Sequence, residues 1–162
     1  MTHATGGCLC GALRYEVEGS PDWVTICFCR FCQRATGSHQ MTEPIFHIDR
    51  FRITSGKPRV YTHISGGSGR EVHVHFCDAC GTKTHLTFDR WPDRLGVYAG
   101  TFDDPGWFEL SPETAKFIFL DEAPRGTLVP PGYKTYGQHA ATADGTPLDP
   151  MILSEVRHVG RD

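Results

Sequence analysis

Hydrophobic and polar residues alternate at a spacing of two through much of the chain. In ALRYEVEG, Leu13, Tyr15 and Val17 take turns with Arg14, Glu16 and Glu18, which predicts a strand with one buried face. REVHVHFC repeats the pattern: Val72, Val74 and Phe76 fall on one face, and His73, His75 and Cys77 on the other. After Pro44, IFHIDRFRITSGKP predicts a strand pair or bent strand ended by Ser55-Gly56, and VYTHI a further strand before the turn SGGSG. Short strands are also predicted from Lys83 to Phe88, Leu95 to Ala99 and Lys116 to Phe119. FDDPGWFELSPE, broken by Asp, Pro and Gly, reads as a loop with one turn of helix, and MILSEVRHV as a final strand or short helix. No segment carries a long stripe at a period of 3.6, so the fold class is mainly β.

Composition sets the scale for those strands. With 162 residues the chain has the length of one ordinary domain and buries a core without obligatory staples. A formal charge of −3 offers no broad basic field, which argues against partners such as nucleic acid or an anionic membrane. The start, MTHATGGCLCGALRY, lacks the basic and apolar regions of a secretory signal, and no 18-residue apolar run exists. The expected location is therefore cytoplasmic. In a reducing compartment cysteines serve metal binding or thiol chemistry rather than structural disulfides.

Seven cysteines fall in three tight groups: Cys8 with Cys10, Cys77 with Cys80, and Cys27, Cys29 and Cys32 within ICFCRFCQRATGS. A tetrahedral zinc site takes four such ligands at about 2.3 Å. Cys77 and Cys80 have the spacing of a Cys-x-x-Cys knuckle, relaxed by Gly81, and Cys8 and Cys10, bracketed by Gly7 and Gly11, leave one face of a regular strand. Together they are read as a closed structural site. It would clip the N-terminal strand to the middle of the chain and make folding depend on metal.

The remaining trio does not close a tetrahedron. Cys27 and Cys29 are read as sharing a strand face, with Cys32 at knuckle spacing, so three sulfurs converge while a fourth position admits water or a substrate sulfur. An open position is the mark of a catalytic zinc. The alternatives are a second structural site completed by His39, His73, His75 or His85, an inert reduced cluster, or an iron–sulfur cluster. On the closed and open readings the chain carries two Zn²⁺, one structural and one catalytic.

GGCLCGALRYEV, CFCRFCQRATGS, FRITSGKPRVY, HFCDACGT and VYAGTFDDPGWF resemble, in order, the signature segments of the glutathione-dependent formaldehyde-activating enzyme family, which also includes centromere protein V. The resemblance covers roughly Gly6 to His139. It implies a β-tent fold of small antiparallel sheets with zinc knuckles over residues 6–139, with 140–162 an extension of that domain or a partly ordered tail. It also implies structural zinc on Cys8, Cys10, Cys77 and Cys80, and reactive zinc on Cys27, Cys29 and Cys32. The implied activity is a carbon–sulfur lyase reaction that joins glutathione and formaldehyde as S-(hydroxymethyl)glutathione, so the expected partners are a small thiol and a small aldehyde. AKFIF, Ala115 to Phe119, departs from the family pattern by lacking a histidine often found there.

Other residues near the trio carry two readings each. Arg30 and Arg34 flank Cys32 and suit a carboxylate-bearing thiol, or else stand in solvent and pair with acids. Thr36, Gly37 and Ser38 offer donors to an aldehyde oxygen, or cap a turn. Trp107 and Phe108 line a pocket, or pack a loop on the core. The rival to the lyase is a non-catalytic zinc module that binds a protein partner. Oligomeric state is not legible in the residues.

Overall fold

The computed structural model describes residues 3–160. In chain order the strands are β1 (His3–Gly7), β2 (Arg14–Glu18), β3 (Trp23–Cys27), β4 (Met41–His47), β5 (Phe51–Ser55), β6 (Arg59–Ile64), β7 (Glu71–Phe76), β8 (Lys83–Phe88), β9 (Arg94–Val97), β10 (Ala115–Ile118), β11 (Thr127–Val129), β12 (Lys134–Thr135), β13 (Met151–Ile152) and β14 (Arg157–Val159). A seven-residue helix, α1 (Arg30–Thr36), follows β3. The architecture is mainly β, as the alternating pattern predicts. No helix among the described residues is long and apolar enough to cross a membrane.

Two compact units partition the chain. The first comprises Met1–Asp22 with Glu43–Glu109, the second Trp23–Thr42 with Leu110–Asp162. In the first unit β2 lies between β1 and β5, all antiparallel. The inward row Leu13, Tyr15 and Val17 is buried, as its spacing requires. Strands β6, β7, β8 and β9 form an antiparallel ladder, and Ile45 to His47 of β4 pair with β9. The core joins Ala4, Tyr15, Val17, Phe46, Leu95, Val97 and Phe102.

The second unit departs from purely antiparallel pairing. β10 runs parallel to both β3 and β12, while β12 with β13 and β11 with β14 pair antiparallel. Val24, Thr25, Ile26 and Cys27 are all buried, so β3 shows no alternation, which is the habit of strands in parallel pairs. Periodicity therefore gives no signal for β3. Nor does it for α1, where Cys32 and Gln33 are the buried residues. The segment MILSEVRHV yields two short strands rather than one strand or a helix. FDDPGWFELSPE holds turns without the expected helical turn, the nearest 3₁₀ turn being Ala99–Thr101.

Candidate metal centres

In the first unit two knuckles face each other with matching backbone bonds. At the first, the Cys8 amide donates to Leu13 O and the Gly11 amide to Cys8 O; at the second, the Cys77 amide donates to Thr82 O and the Gly81 amide to Cys77 O. Gly11 at φ 79° and Gly81 at φ 74° take the left-handed conformation that lets each chain turn back beneath its sulfurs. Cys8 and Cys10 thus sit in a turn after β1, not on a strand face. A turn brings them together as well as a strand would have.

The ligand sulfurs of Cys8, Cys10, Cys77 and Cys80 all lie within 4.8 Å of one another. Cys8 and Cys10 are 3.5 Å apart, and Cys10 and Cys77 3.8 Å. A tetrahedron with metal–sulfur bonds of about 2.3 Å has edges of about 3.8 Å, so the set fits a metal ion of zinc's size. The surroundings favour charge on two of the four sulfurs, those of Cys8 and Cys80. The Leu13 amide reaches Cys8 Sγ at 3.2 Å and the Thr82 hydroxyl reaches Cys80 Sγ at 3.2 Å. Thr82, through its side chain and then its backbone, pulls the Cys80 thiol down to about 5.

The second unit gathers the trio, again within 4.8 Å. Cys27 ends β3, but Cys29 is not on its face: it caps α1 with extended backbone, its sulfur accepting from the Cys32 amide at 3.4 Å. Cys32 lies in the first helical turn. A strand end, a cap and a helix start therefore aim three sulfurs at one point. Cys27 and Cys32 are buried and Cys29 half-buried. The Cys29 thiol is driven down, chiefly by the thiols of Cys27 and then Cys32 that donate to it. Facing that charge pushes Cys27 up, and Cys32 is raised by Cys27, then Cys29, then burial. Such a soft, anion-ready donor set suits zinc and other thiophilic ions.

Among the described residues no His, Asp or Glu ligand atom joins the trio's group. Of the histidines named by the sequence, His73 Nε2 meets Asp89 at 3.0 Å, and His75 stacks on His85 with ring centres 4.1 Å apart; His39 is exposed. Glu71, His73 and Asp89 form a third, exposed group of ligand atoms that sequence spacing did not reveal, because Asp89 reaches His73 only through the pairing of β7 with β8.

The segment ATGS closes α1. Gly37 at φ 68° is its left-handed cap, and Thr36 Oγ1 donates to Cys32 O at 2.8 Å while accepting from the Ser38 amide. Of its two readings, the cap is the one seen. Trp107 and Phe108 pack on the first unit's core beside Phe46 and Phe102, the loop-packing alternative. Arg30 and Arg34 stand about 160° and 200° around the helix from Cys32, so neither shares its face. Arg30 instead contacts Gln33 Oε1.

Beside the trio the backbone is strained. Phe28 N donates to Ile118 O at 3.1 Å, and the next residue, Phe119, has φ 59°, the one positive φ outside glycine among the described residues. Phe119 ends AKFIF, and its ring meets His139 edge-on at 5.9 Å.

Comparison with known proteins follows the same lines. The model of the family described as glutathione-dependent formaldehyde-activating enzyme matches residues 3–120. Among solved structures the chain is similar to a protein from Rhodobacter sphaeroides, at 21% identity and a TM-score of 0.51, over 70% of this chain and 99% of that one. At that identity the likeness speaks to the fold alone.

Proposed function

The chain belongs to the glutathione-dependent formaldehyde-activating enzyme family, and from that premise we propose that it makes and breaks the carbon–sulfur bond of a small thiol–aldehyde adduct such as S-(hydroxymethyl)glutathione. The observation that carries this reading is the contrast in donor number: four sulfurs in one group, three in the other, with no further His, Asp or Glu ligand atom beside the three among the described residues. Cys8, Cys10, Cys77 and Cys80 would hold a structural zinc. Cys27, Cys29 and Cys32 would hold the second, where zinc supplies the means to keep an incoming thiol deprotonated.

The trio's part is to hold and orient. With Cys29 at a helix cap and Cys27 at a strand end, both anchored by backbone bonds, the sulfurs keep their spacing while a small thiol enters. In the forward direction the thiol gives up its proton, its sulfur attacks the aldehyde carbon and the C–S bond forms, and the carbonyl π pair moves to oxygen, which takes up a proton to replace the one the thiol lost. The reverse collapse returns both partners. Hemithioacetals form without a catalyst, so alignment is the main lever. A cytoplasmic setting, where thiols stay reduced, suits both clusters.

Zinc counting tests the reading. Wild type is expected to hold two ions and Cys29→Ser one, and glutathione is expected to alter metal–sulfur coordination in wild type only. Turnover of formaldehyde with glutathione must exceed the spontaneous rate measured alongside. Two ions whose coordination is already complete, with no response to glutathione, would overturn the lyase in favour of a non-catalytic module.

A further inference from the structure

Gln33 is a polar residue held at 9% exposure next to Cys32, and every polar atom of its side chain is engaged. Its Nε2 donates to Phe28 O at 2.5 Å and to Glu122 O at 3.0 Å, and its Oε1 accepts from the Arg30 guanidinium. The amide orientation follows from chemistry, since the reverse would set its oxygen against two carbonyls and its NH₂ against a cation. Its backbone amide also donates to Cys29 O at 3.0 Å.

One of these bonds holds the second of the two peptides that join the trio's first two ligands. Phe28 lies between Cys27 and Cys29; its N–H is taken by Ile118 and its C=O by Gln33. The N–H lies on the Cys27–Phe28 peptide and the C=O on the Phe28–Cys29 peptide, so each of the two planes between these ligands has one tether, and Gln33 holds the plane that leads into Cys29. Glu122 closes the frame from the far side. Its carbonyl accepts from Gln33 and its carboxylate from the Arg30 amide at 2.9 Å. Glu122 is delivered by the 3₁₀ turn Leu120–Glu122, entered through the strained Phe119, whose carbonyl accepts from the Glu122 amide. The strain has a use: it turns the chain off β10 and toward Gln33.

We infer that Gln33 is the positioning residue of the trio, setting the three sulfurs in their metal-binding arrangement by pinning the Phe28 carbonyl to the Leu120–Glu122 turn. The inference rests on the trio being a metal site, as in the proposed function, but not on the reaction run there. Buried partners of metal ligands typically govern affinity by 10–100-fold. Losing Gln33's two donor bonds removes the side-chain donor from the Phe28 carbonyl and loosens the peptide that leads into Cys29.

The test is zinc release from the full-length, zinc-loaded protein to the chromogenic chelator 4-(2-pyridylazo)resorcinol. Cys29→Ser identifies the trio's kinetic phase by its disappearance. Gln33→Met keeps the shape and removes the bonds; Gln33→Glu keeps the Arg30 contact but sets a carboxylate oxygen against Phe28 O and Glu122 O. In Gln33→Met the trio phase is expected to be about 10–100-fold faster, and in Gln33→Glu at least as fast. The four-sulfur phase should keep its wild-type rate in both. A trio phase at wild-type rate in both variants overturns the inference, as does equal acceleration of both phases, which is general loosening, or the absence of any phase lost in Cys29→Ser. Glutathione entry separates this from the lyase: entry with an unchanged trio phase sinks Gln33's role alone, and an accelerated trio phase without entry in wild type sinks the reaction alone.

Discussion

The four-sulfur cluster joins two knuckles whose cysteines lie at least 67 positions apart, whereas the trio is drawn from residues 27–32 of one local turn. Loop-closure entropy makes that difference count. Each doubling of a closed loop is worth about 0.6 kcal/mol, so a crosslink over 67 residues constrains the unfolded chain by roughly 2 kcal/mol more than one over five. Metal held at the first cluster would be coupled to the fold; metal held at the trio would tie together what neighbouring bonds already hold. A site that carries little of the stability is free to exchange a ligand.

The largest expected effect breaks the comparison at the four-sulfur side. Cys77→Ser removes a buried ligand from the second knuckle, and the expected result is loss of one zinc together with the cooperative unfolding transition of the first unit, since structural zinc sites contribute folding free energy outright. Cys29→Ser is the counterpart. It should lose one zinc and all turnover above the spontaneous background, yet keep a thermal midpoint within a few degrees of wild type. Equal thermal losses in the two variants, followed by calorimetry, would show both clusters to be structural.

The contrast in donor number was legible in the sequence; the local geometry was not. Cysteine spacing separates four from three without any structure, and the alternation of Leu13, Tyr15 and Val17 places β2 correctly because one of its faces is solvated. β3 is invisible to the same reasoning because Val24 to Cys27 are buried without a break. α1 is too short to show a stripe, so Cys29 and Cys32 read as strand and knuckle residues when they are cap and first turn. Gln33 could not be singled out at all. Its partner Glu122 is 89 positions away, and only the parallel pairing of β3 with β10 brings that part of the chain close.

A smaller effect sharpens the first unit's dependence on solution conditions. His85, 5% exposed between Phe51 and His75, has its pKa lowered to about 3, by burial first and by the neighbouring His75 second. The unfolded chain therefore binds a proton that the folded chain refuses between about pH 3 and 6.5. Stability is intact above pH 6.5 and declines as pH falls, by about 2 kcal/mol at pH 5 from this group. Urea titrations of wild type and His85→Phe at pH 7 and pH 5 measure it. The variant should lose less on acidification, while any proton competition at the cysteines is common to both proteins.

The smallest expected effect concerns the trio's surroundings. Arg34 is exposed and lies about 200° around α1 from Cys32, so a thiol seated on the trio meets a different face of the helix. Arg34→Ala should change the KM for glutathione less than twofold and stability by no more than about 0.5 kcal/mol, as for an ordinary surface change. A tenfold rise in KM with kcat unchanged would mean that the thiol's carboxylates wrap the helix to reach the guanidinium. Recognition would then extend beyond the three sulfurs, and the trio would differ from the four-sulfur cluster in having a substrate-shaped surround as well as one ligand fewer.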